Sequence, residues 1–251
     1  MIDAHCHLEQ KDYDADRDEV VARCKEAVLK AVVFSCARPK DFEKSLEIAE
    51  KYRGFAFFTA GIHPEYIKEI SGAEIAAYFE KLRANKDKIV GIGECGLDYY
   101  WTKEPEWRKN QKALFKRHIE LAKELNLPLV IHSRDAEADC LGILENEGAK
   151  NVLMHFFSDK NLAERVAKDG YFISFNTLLL KSKGHRKILK KTPLERIITE
   201  TDAPWLGFGK RNEPVAVKDV TEKIAELLKK PVEEIDQTTT KNAEGFYGLK
   251  T

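Results

Sequence analysis

The sequence has few cysteines, no excess of charge of either sign and no long apolar run. The cysteines are scattered and form no Cys-x-x-Cys pair: Cys6, Cys24, Cys36, Cys95 and Cys140. This usage argues against a disulfide framework and favours a reduced, cytoplasmic protein. Lys+Arg and Asp+Glu are both 42 in the 251 residues. This balance of charges excludes a strongly basic surface that binds nucleic acid, although it allows a local basic patch.

Two further absences narrow the class of protein. No apolar run approaches the roughly 18 residues of a membrane span. The first residues, MIDAHCHLEQ, lack the basic and apolar regions of a secretory signal peptide. We therefore expect no membrane association. Nothing in the sequence indicates an obligate protein partner, so we expect a monomer.

Short apolar segments alternate with longer helical ones along the whole chain. Eight segments are typical of strands buried on both faces: 2–7, 32–34, 55–59, 89–92, 127–132, 151–155, 171–175 and 196–202. Nine segments have helical spacing or composition: 16–30, 40–52, 72–85, 104–126, 135–147, 159–169, 182–191, 215–230 and 232–247. This alternation predicts an α/β fold, a (β/α)8 TIM-type barrel with residues 1–251 as one domain. An open doubly wound sheet is the alternative, but its Gly-x-Gly-x-x-Gly sequence is absent.

Side chains that bind metals follow most of these strands. In a barrel the carboxyl ends of the strands meet at one mouth, so residues distant in sequence become neighbours there. His5 and His7 lie two apart and point the same way, whereas Cys6 and Cys95 should face outward or pack in the core. His118 and His185 fall outside strand ends, and we expect them on the surface or on helices. The candidate ligands are His5, His7, Glu94, His132, His155 and Asp202.

Six ligands are too many for one tetrahedral zinc with an open position. They suit two divalent cations: His5, His7 and Asp202 at one, His132 and His155 at the other, with Glu94 between them. Imidazole with carboxylate suits Zn²⁺, Mn²⁺ or Fe²⁺, and Mg²⁺ less naturally. The alternatives are hydrogen-bonded core histidines and, for Glu94, a buried ion pair with lysine or arginine.

Seven motifs resemble the TatD family of metal-dependent hydrolases, within the amidohydrolase-like barrels. They run along the whole chain: DAHCHL (3–8), GIHP (61–64), GECGLDYY (93–100), PLVIHSRDA (128–136), HFFSD (155–159), TETDAPWL (199–206) and RNEPVAV (211–217). The resemblance implies a TIM-type barrel, a binuclear site with the same six ligands, and deoxyribonuclease activity, largely 3′-to-5′ exonuclease. Cys95, Glu65 and Asp159 depart from the usual pattern. Related members also act as deacylases on misacylated tRNA.

A mechanism follows as a hypothesis for this site. A water activated by two metals would attack the phosphorus, with Asp202 accepting its proton and Glu94 bridging the cations. His63 and Arg134 would hold a phosphate, unless His63 caps a loop and Arg134 makes a structural ion pair. Glu200 should point into the barrel one layer lower and support a ligand. Asp3 should act in the same way near His5.

Contact with DNA would have to be local because the net charge is zero. Basic residues crowd the segment between the last two strands: Lys181, Lys183, Arg186, Lys187, Lys190 and Lys191. Lys210 and Arg211 follow the last strand. Trp101 and Trp205 could stack on bases near the mouth. A basic run of this kind is more often a solvated helix face, and Trp101 could pack the loop after the fourth strand.

Two other functions remain open on the sequence alone. The same scaffold and ligands would serve a binuclear-metal hydrolase of carboxylic esters, amides or small phosphoesters. A non-catalytic nucleic-acid-binding or scaffold protein is the third reading, and the presence of all six candidate ligands argues against it.

Overall fold

Eight parallel strands form one sheet in chain order in the computed structural model, which describes residues 1–251. They are β1 (Ile2–Cys6), β2 (Ala31–Cys36), β3 (Ala56–Ala60), β4 (Gly91–Asp98), β5 (Leu129–Arg134), β6 (Val152–Met154), β7 (Phe172–Phe175) and β8 (Ile197–Thr199). The segment after β8 returns to β1, where the amide of Asp202 donates to the carbonyl of His5 (3.0 Å) and that of His7 to Ala203 (2.7 Å). The predicted barrel is confirmed.

A helix follows each strand, and a ninth helix ends the chain. The helices are α1 (Arg17–Glu26), α2 (Phe42–Lys51), α3 (Gly72–Ala84), α4 (Pro105–Leu125), α5 (Glu137–Asn146), α6 (Ala163–Lys168), α7 (Lys183–Lys191), α8 (Val217–Leu228) and α9 (Val232–Tyr247). Several predicted segments were too long because their first residues form turns or short 3-10 helices. None of the nine helices combines the length and the apolar character that a membrane-spanning helix requires.

Strand β4 is longer and less regular than the sequence predicted. We expected the apolar segment 89–92 to lead into Glu94 as the end of the strand, but the strand continues to Asp98. Its pairing with β5 shifts between Ile92 and Cys95. Gly93 and Gly96 have φ values of +144° and +138°, and a Cβ at either would collide with a carbonyl oxygen of β5. These two glycines allow an irregular strand that carries Glu94 in its interior.

The apolar core lies mainly between the barrel and its helices, in a cluster of 58 buried residues. A separate cluster of 10 buried residues joins strand residues to Phe246 and Tyr247 of α9. The Tyr247 hydroxyl donates to the carbonyl oxygen of Ala4, at 2.9 Å. Helix α9 therefore supports β1 and β8, the strands that lead into His5 and Asp202.

Candidate metal centre

Glu94 lies at the centre of a group of imidazoles at the mouth of the barrel. Its side chain is 4% exposed. Five histidine nitrogens lie within 4 Å of its carboxylate: His132 Nδ1 at 2.9 Å, His5 Nε2 at 3.4 Å, His63 Nε2 at 3.4 Å, His7 Nε2 at 3.6 Å and His155 Nε2 at 3.8 Å. No lysine or arginine pairs with Glu94, so the alternative of a buried ion pair to one of them is wrong.

His5, His7, His155 and Asp202 occupy the side of the mouth formed by β1, β6 and β8. The His5 and His7 Nε2 atoms are 3.3 Å apart, as the alternation along a strand predicted. The His5 ring stacks on that of His155, with centroids 3.7 Å apart. Asp202 Oδ1 lies 3.6 Å from His7 Nε2 and 3.9 Å from His155 Nε2. The structure thus brings together side chains separated by almost two hundred residues.

The donor atoms form three groups in which every atom lies within 4.8 Å of the others. They are His5–His155–Asp202, His5–His7–Glu94 and His63–Glu94–His132. Burial of carboxylates without lysine or arginine is costly unless positive charge is supplied in another way. Imidazole nitrogens and carboxylate oxygens converging in this manner suit divalent transition-metal ions, so the residues fit the implied cations.

Several side chains of the centre have strongly displaced pKa values. Burial lowers the pKa of His5 to about 4, and the nearby His155 acts in the same direction. Burial alone would also lower the pKa of His132, but hydrogen bonds to Asp98 and Glu94 raise it to about 9. Burial raises the pKa of Asp202 to about 6, against the opposing effect of His155 and His7. Such displaced values are typical of functional sites.

Three carboxylates contact ring nitrogens of His155, His132 and His7 and thereby orient these rings. Glu200 Oε2 lies 2.8 Å from His155 Nδ1, which supports the predicted role of Glu200 next to a ligand. Asp98 Oδ2 lies 3.0 Å from His132 Nε2, and Glu9 Oε1 lies 3.3 Å from His7 Nδ1. Partners of this kind fix the ring orientation and raise the basicity of a ligand.

Sequence reasoning missed Asp98 and Glu9. Glu9 continues the spacing of two from His5 and His7, so the alternation itself could have indicated it. Asp98 was hidden because β4 was expected to stop at Glu94, four residues earlier. Asp3 supports His5 as expected, but through the backbone and not through the ring: its Oδ1 accepts from the His5 amide at 3.3 Å. Its carboxylate accepts hydrogen bonds from the Thr201 hydroxyl (2.6 Å) and amide (2.9 Å), which ties β1 to the segment that carries Asp202.

The predicted substrate contacts lie at the rim of the same mouth. His63 is near Glu94, and its Nδ1 also accepts from the amide of Glu65 at 3.2 Å, so the loop-capping alternative holds as well. Arg134 is exposed and makes no ion pair, which contradicts a structural salt bridge for it. Its guanidinium lies 3.9 Å from the centroid of the Tyr100 ring.

Two histidines and the cysteines lie outside the centre. His118 and His185 are on α4 and α7, but both are buried, so a surface position for them is wrong. His118 is placed by two hydrogen bonds, with Nε2 accepting from the Ile62 amide (3.2 Å) and Nδ1 donating to the Leu114 carbonyl (2.9 Å). All five cysteines are buried free thiols, and none belongs to a potential metal group.

Comparisons with known proteins extend the similarity over the whole barrel. A family model described as TatD related DNase matches residues 2–248. The metal-dependent hydrolase YabD of Bacillus subtilis (strain 168) is 38% identical over 259 residues, covering 99% of both chains. Deoxyribonuclease TATDN3 of Homo sapiens is 34% identical over 254 residues, covering 97% of this chain and 93% of its own. The crystal structure of YjjV, a TatD homologue from Escherichia coli K12, has a TM-score of 0.92 at 26% identity and covers 100% of this chain and 98% of that one.

Proposed function

The chain belongs to the TatD-related DNase family of metal-dependent hydrolases, and on this premise we propose that it is a deoxyribonuclease that shortens DNA from the 3′ end. The observation that carries the hydrolase assignment is the cluster of three potential metal groups at the carboxyl ends of the strands, two of which share Glu94 and two of which share His5. The choice of DNA is supported by the relative named a deoxyribonuclease. The direction of digestion rests on the family resemblance alone.

We propose that two divalent cations, Zn²⁺, Mn²⁺ or Mg²⁺, are held by the six predicted ligands, with Glu94 shared between them. The ligands are His5, His7, Glu94, His132, His155 and Asp202. When bound, the cations supply an acidified water and neutralise charge on the phosphoryl oxygens. The surrounding carboxylates Glu200, Asp98 and Glu9 hold the rings of three histidines in position.

Asp202 and two rim residues would act directly on the substrate. The Asp202 side chain is 11% exposed, against 4% for Glu94, so its carboxylate is the better placed to accept a proton from the attacking water. Arg134 has no carboxylate partner and presents its guanidinium to solvent, where it can pair with a phosphate. The His63 side chain is 12% exposed at the same rim, so its Nε2 would be a second contact for this phosphate.

The same reasoning extends to the assembly and location of the protein. We propose a monomer with one domain spanning residues 1–251, because the six proposed ligands can be assembled without a residue from a second copy. The five cysteines are free thiols, which supports a reducing compartment such as the cytoplasm.

The test is digestion of single-stranded DNA labelled at either end, with Mg²⁺, Mn²⁺ or Zn²⁺. We expect stepwise shortening of the 5′-labelled strand, and loss of this activity with chelator or in the Asp202→Asn variant. Metal content and thermal unfolding of that variant separate lost chemistry from lost folding. Full activity of Asp202→Asn would refute the role of this carboxylate.

A negative result would also be informative about the substrate. Absence of cleavage by protein that holds about two cations per chain would remove DNA and retain the binuclear hydrolase. The search would then move to carboxylic esters, amides and small phosphoesters, including aminoacyl esters of tRNA.

A further inference from the structure

Exposed aromatic side chains concentrate at the mouth of the barrel. Six large hydrophobic residues are prominently exposed, and four are aromatics in the loops after β4 and β8: Tyr100 (43%), Trp101 (58%), Trp205 (48%) and Phe208 (42%). The other two, Val28 and Val232, are aliphatic and precede β2 or begin α9. Exposed aromatic surface is unfavourable in water, so its restriction to the mouth indicates a binding site there.

In each of the two loops, an aromatic ring lies beneath the side chain of a basic residue that has no carboxylate partner. Lys181 Nζ lies 3.8 Å from the centroid of Phe208, and the Arg134 guanidinium lies 3.9 Å from Tyr100 and 5.7 Å from Trp101. Neither Lys181 nor Arg134 makes an ion pair within the protein. A flat apolar ring next to a free cation is complementary to a nucleotide, whose base stacks while its phosphate pairs with the charge.

The loops after β4 and β8, which carry these aromatic side chains, both contact the metal centre. On one side, the amide of Trp101 donates to Asp98 Oδ1 (2.7 Å), and the other oxygen of Asp98 lies 3.0 Å from His132 Nε2. On the other side, the Trp205 ring packs edge-on against His7, with centroids 4.4 Å apart. Strands β4 and β8 are four positions apart in an eight-stranded barrel, so their loops face each other across the mouth.

The loop that carries Phe208 is built to project this side chain. A Cβ at Gly207 would collide with the carbonyl oxygen of Lys210, so the turn needs glycine there. Thr177 Oγ1 donates to the Leu206 carbonyl (2.9 Å) and ties the turn to the loop after β7, from which Lys181 extends. The position of Phe208 beside Lys181 is therefore set by the local backbone.

We propose that the Phe208–Lys181 pair and the Trp101–Arg134 pair are two base-stacking subsites, which hold nucleotides on either side of the bond to be cleaved. This inference rests on the proposed action on DNA and adds the residues that would make the enzyme select polynucleotides over small phosphodiesters. The bases would stack on Phe208 and Trp101, and the flanking phosphates would pair with Lys181 and Arg134.

The test is equilibrium binding in chelator, where no cleavage occurs, measured by fluorescence anisotropy. The probes are a labelled ten-nucleotide thymidine oligomer and an oligomer of the same length with abasic residues. Phe208→Ala and Trp101→Ala should each weaken binding of the thymidine oligomer by roughly 5- to 150-fold. Binding of the abasic oligomer should barely change, and Phe208→Trp should restore affinity. Val28→Ala, which shortens an exposed side chain away from the mouth, is the matched control.

The lysine gives a second, independent readout. Lys181→Ala should reduce the slope of log affinity against log salt by about 0.7, as expected for one lost contact to a single strand. If Phe208→Ala and Trp101→Ala both bind the thymidine oligomer with wild-type affinity, the proposed subsites are overturned. An equal loss for both oligomers would also overturn stacking, because only phosphate contact would then be affected.

The proposed function can fail separately from this inference. Metal-dependent digestion of DNA with unchanged binding by the variants would overturn the subsites and leave the nuclease in place. Wild-type protein that neither binds nor digests the thymidine oligomer would overturn both.

Discussion

His118 should make the protein less stable in mild acid, and the size of the effect follows from its surroundings. The residue is buried on α4 beneath the loop that leads to His63. Its Nε2 accepts from the Ile62 amide and its Nδ1 donates to the Leu114 carbonyl, an arrangement that requires a neutral ring. Burial lowers its pKa from 6.5 to about 4.

The direction of the effect follows from proton binding. Between the two pKa values the unfolded chain holds a proton on His118 that the folded chain does not, so stability falls as the pH drops below 6.5. For this single group the loss between about pH 7 and about pH 5 is about 2 kcal/mol. The loss stops growing once the pH is below the folded value, where both states are protonated.

The assay compares wild type with His118→Gln, in which the amide oxygen can still accept from the Ile62 amide but carries no charge. Urea unfolding is measured at both pH values in chelator, so that the other histidines titrate alike in the two proteins. The wild type should lose about 2 kcal/mol more than the variant on acidification. Equal losses in both proteins would show that His118 is not held neutral by burial.

Two further predictions concern the metal centre and the strand beneath it. Glu200→Gln removes the charge facing His155 Nδ1 and should weaken cation binding by about 10- to 100-fold, measured by calorimetric titration. Glu195→Gln on the exposed surface is the control, and equal affinities in the two variants would contradict the role of Glu200. Gly96→Ala places a Cβ against the carbonyl of His132 at a residue whose φ is +138°. The substitution should therefore lower the free energy of unfolding by about 1–3 kcal/mol, measured by thermal unfolding. Gly142→Ala in α5, where a Cβ meets nothing within 4 Å, should be neutral or stabilising, and a similar loss in both would argue against strain at Gly96.

The part of the centre that could be predicted from sequence is the part set by regular strands. Alternation along β1 places His5 and His7 on one face, and convergence of parallel strands brings His132, His155 and Asp202 to the same mouth. Both rules depend only on backbone periodicity and topology. The burial of His118 and His185 could not be read in this way, because it depends on which helix face meets the barrel.

The irregular strand shows where such rules stop. A period of two assumes a uniform ladder, but Gly93 and Gly96 break the pairing of β4 with β5 and carry the strand on to Asp98. This extension brings Asp98 Oδ2 to His132 Nε2 and its other oxygen to the amide of Trp101. One carboxylate therefore connects a candidate ligand to the exposed aromatic rim. The two glycines matter to this contact because the path of β4 that they allow is the one that carries the strand on to Asp98.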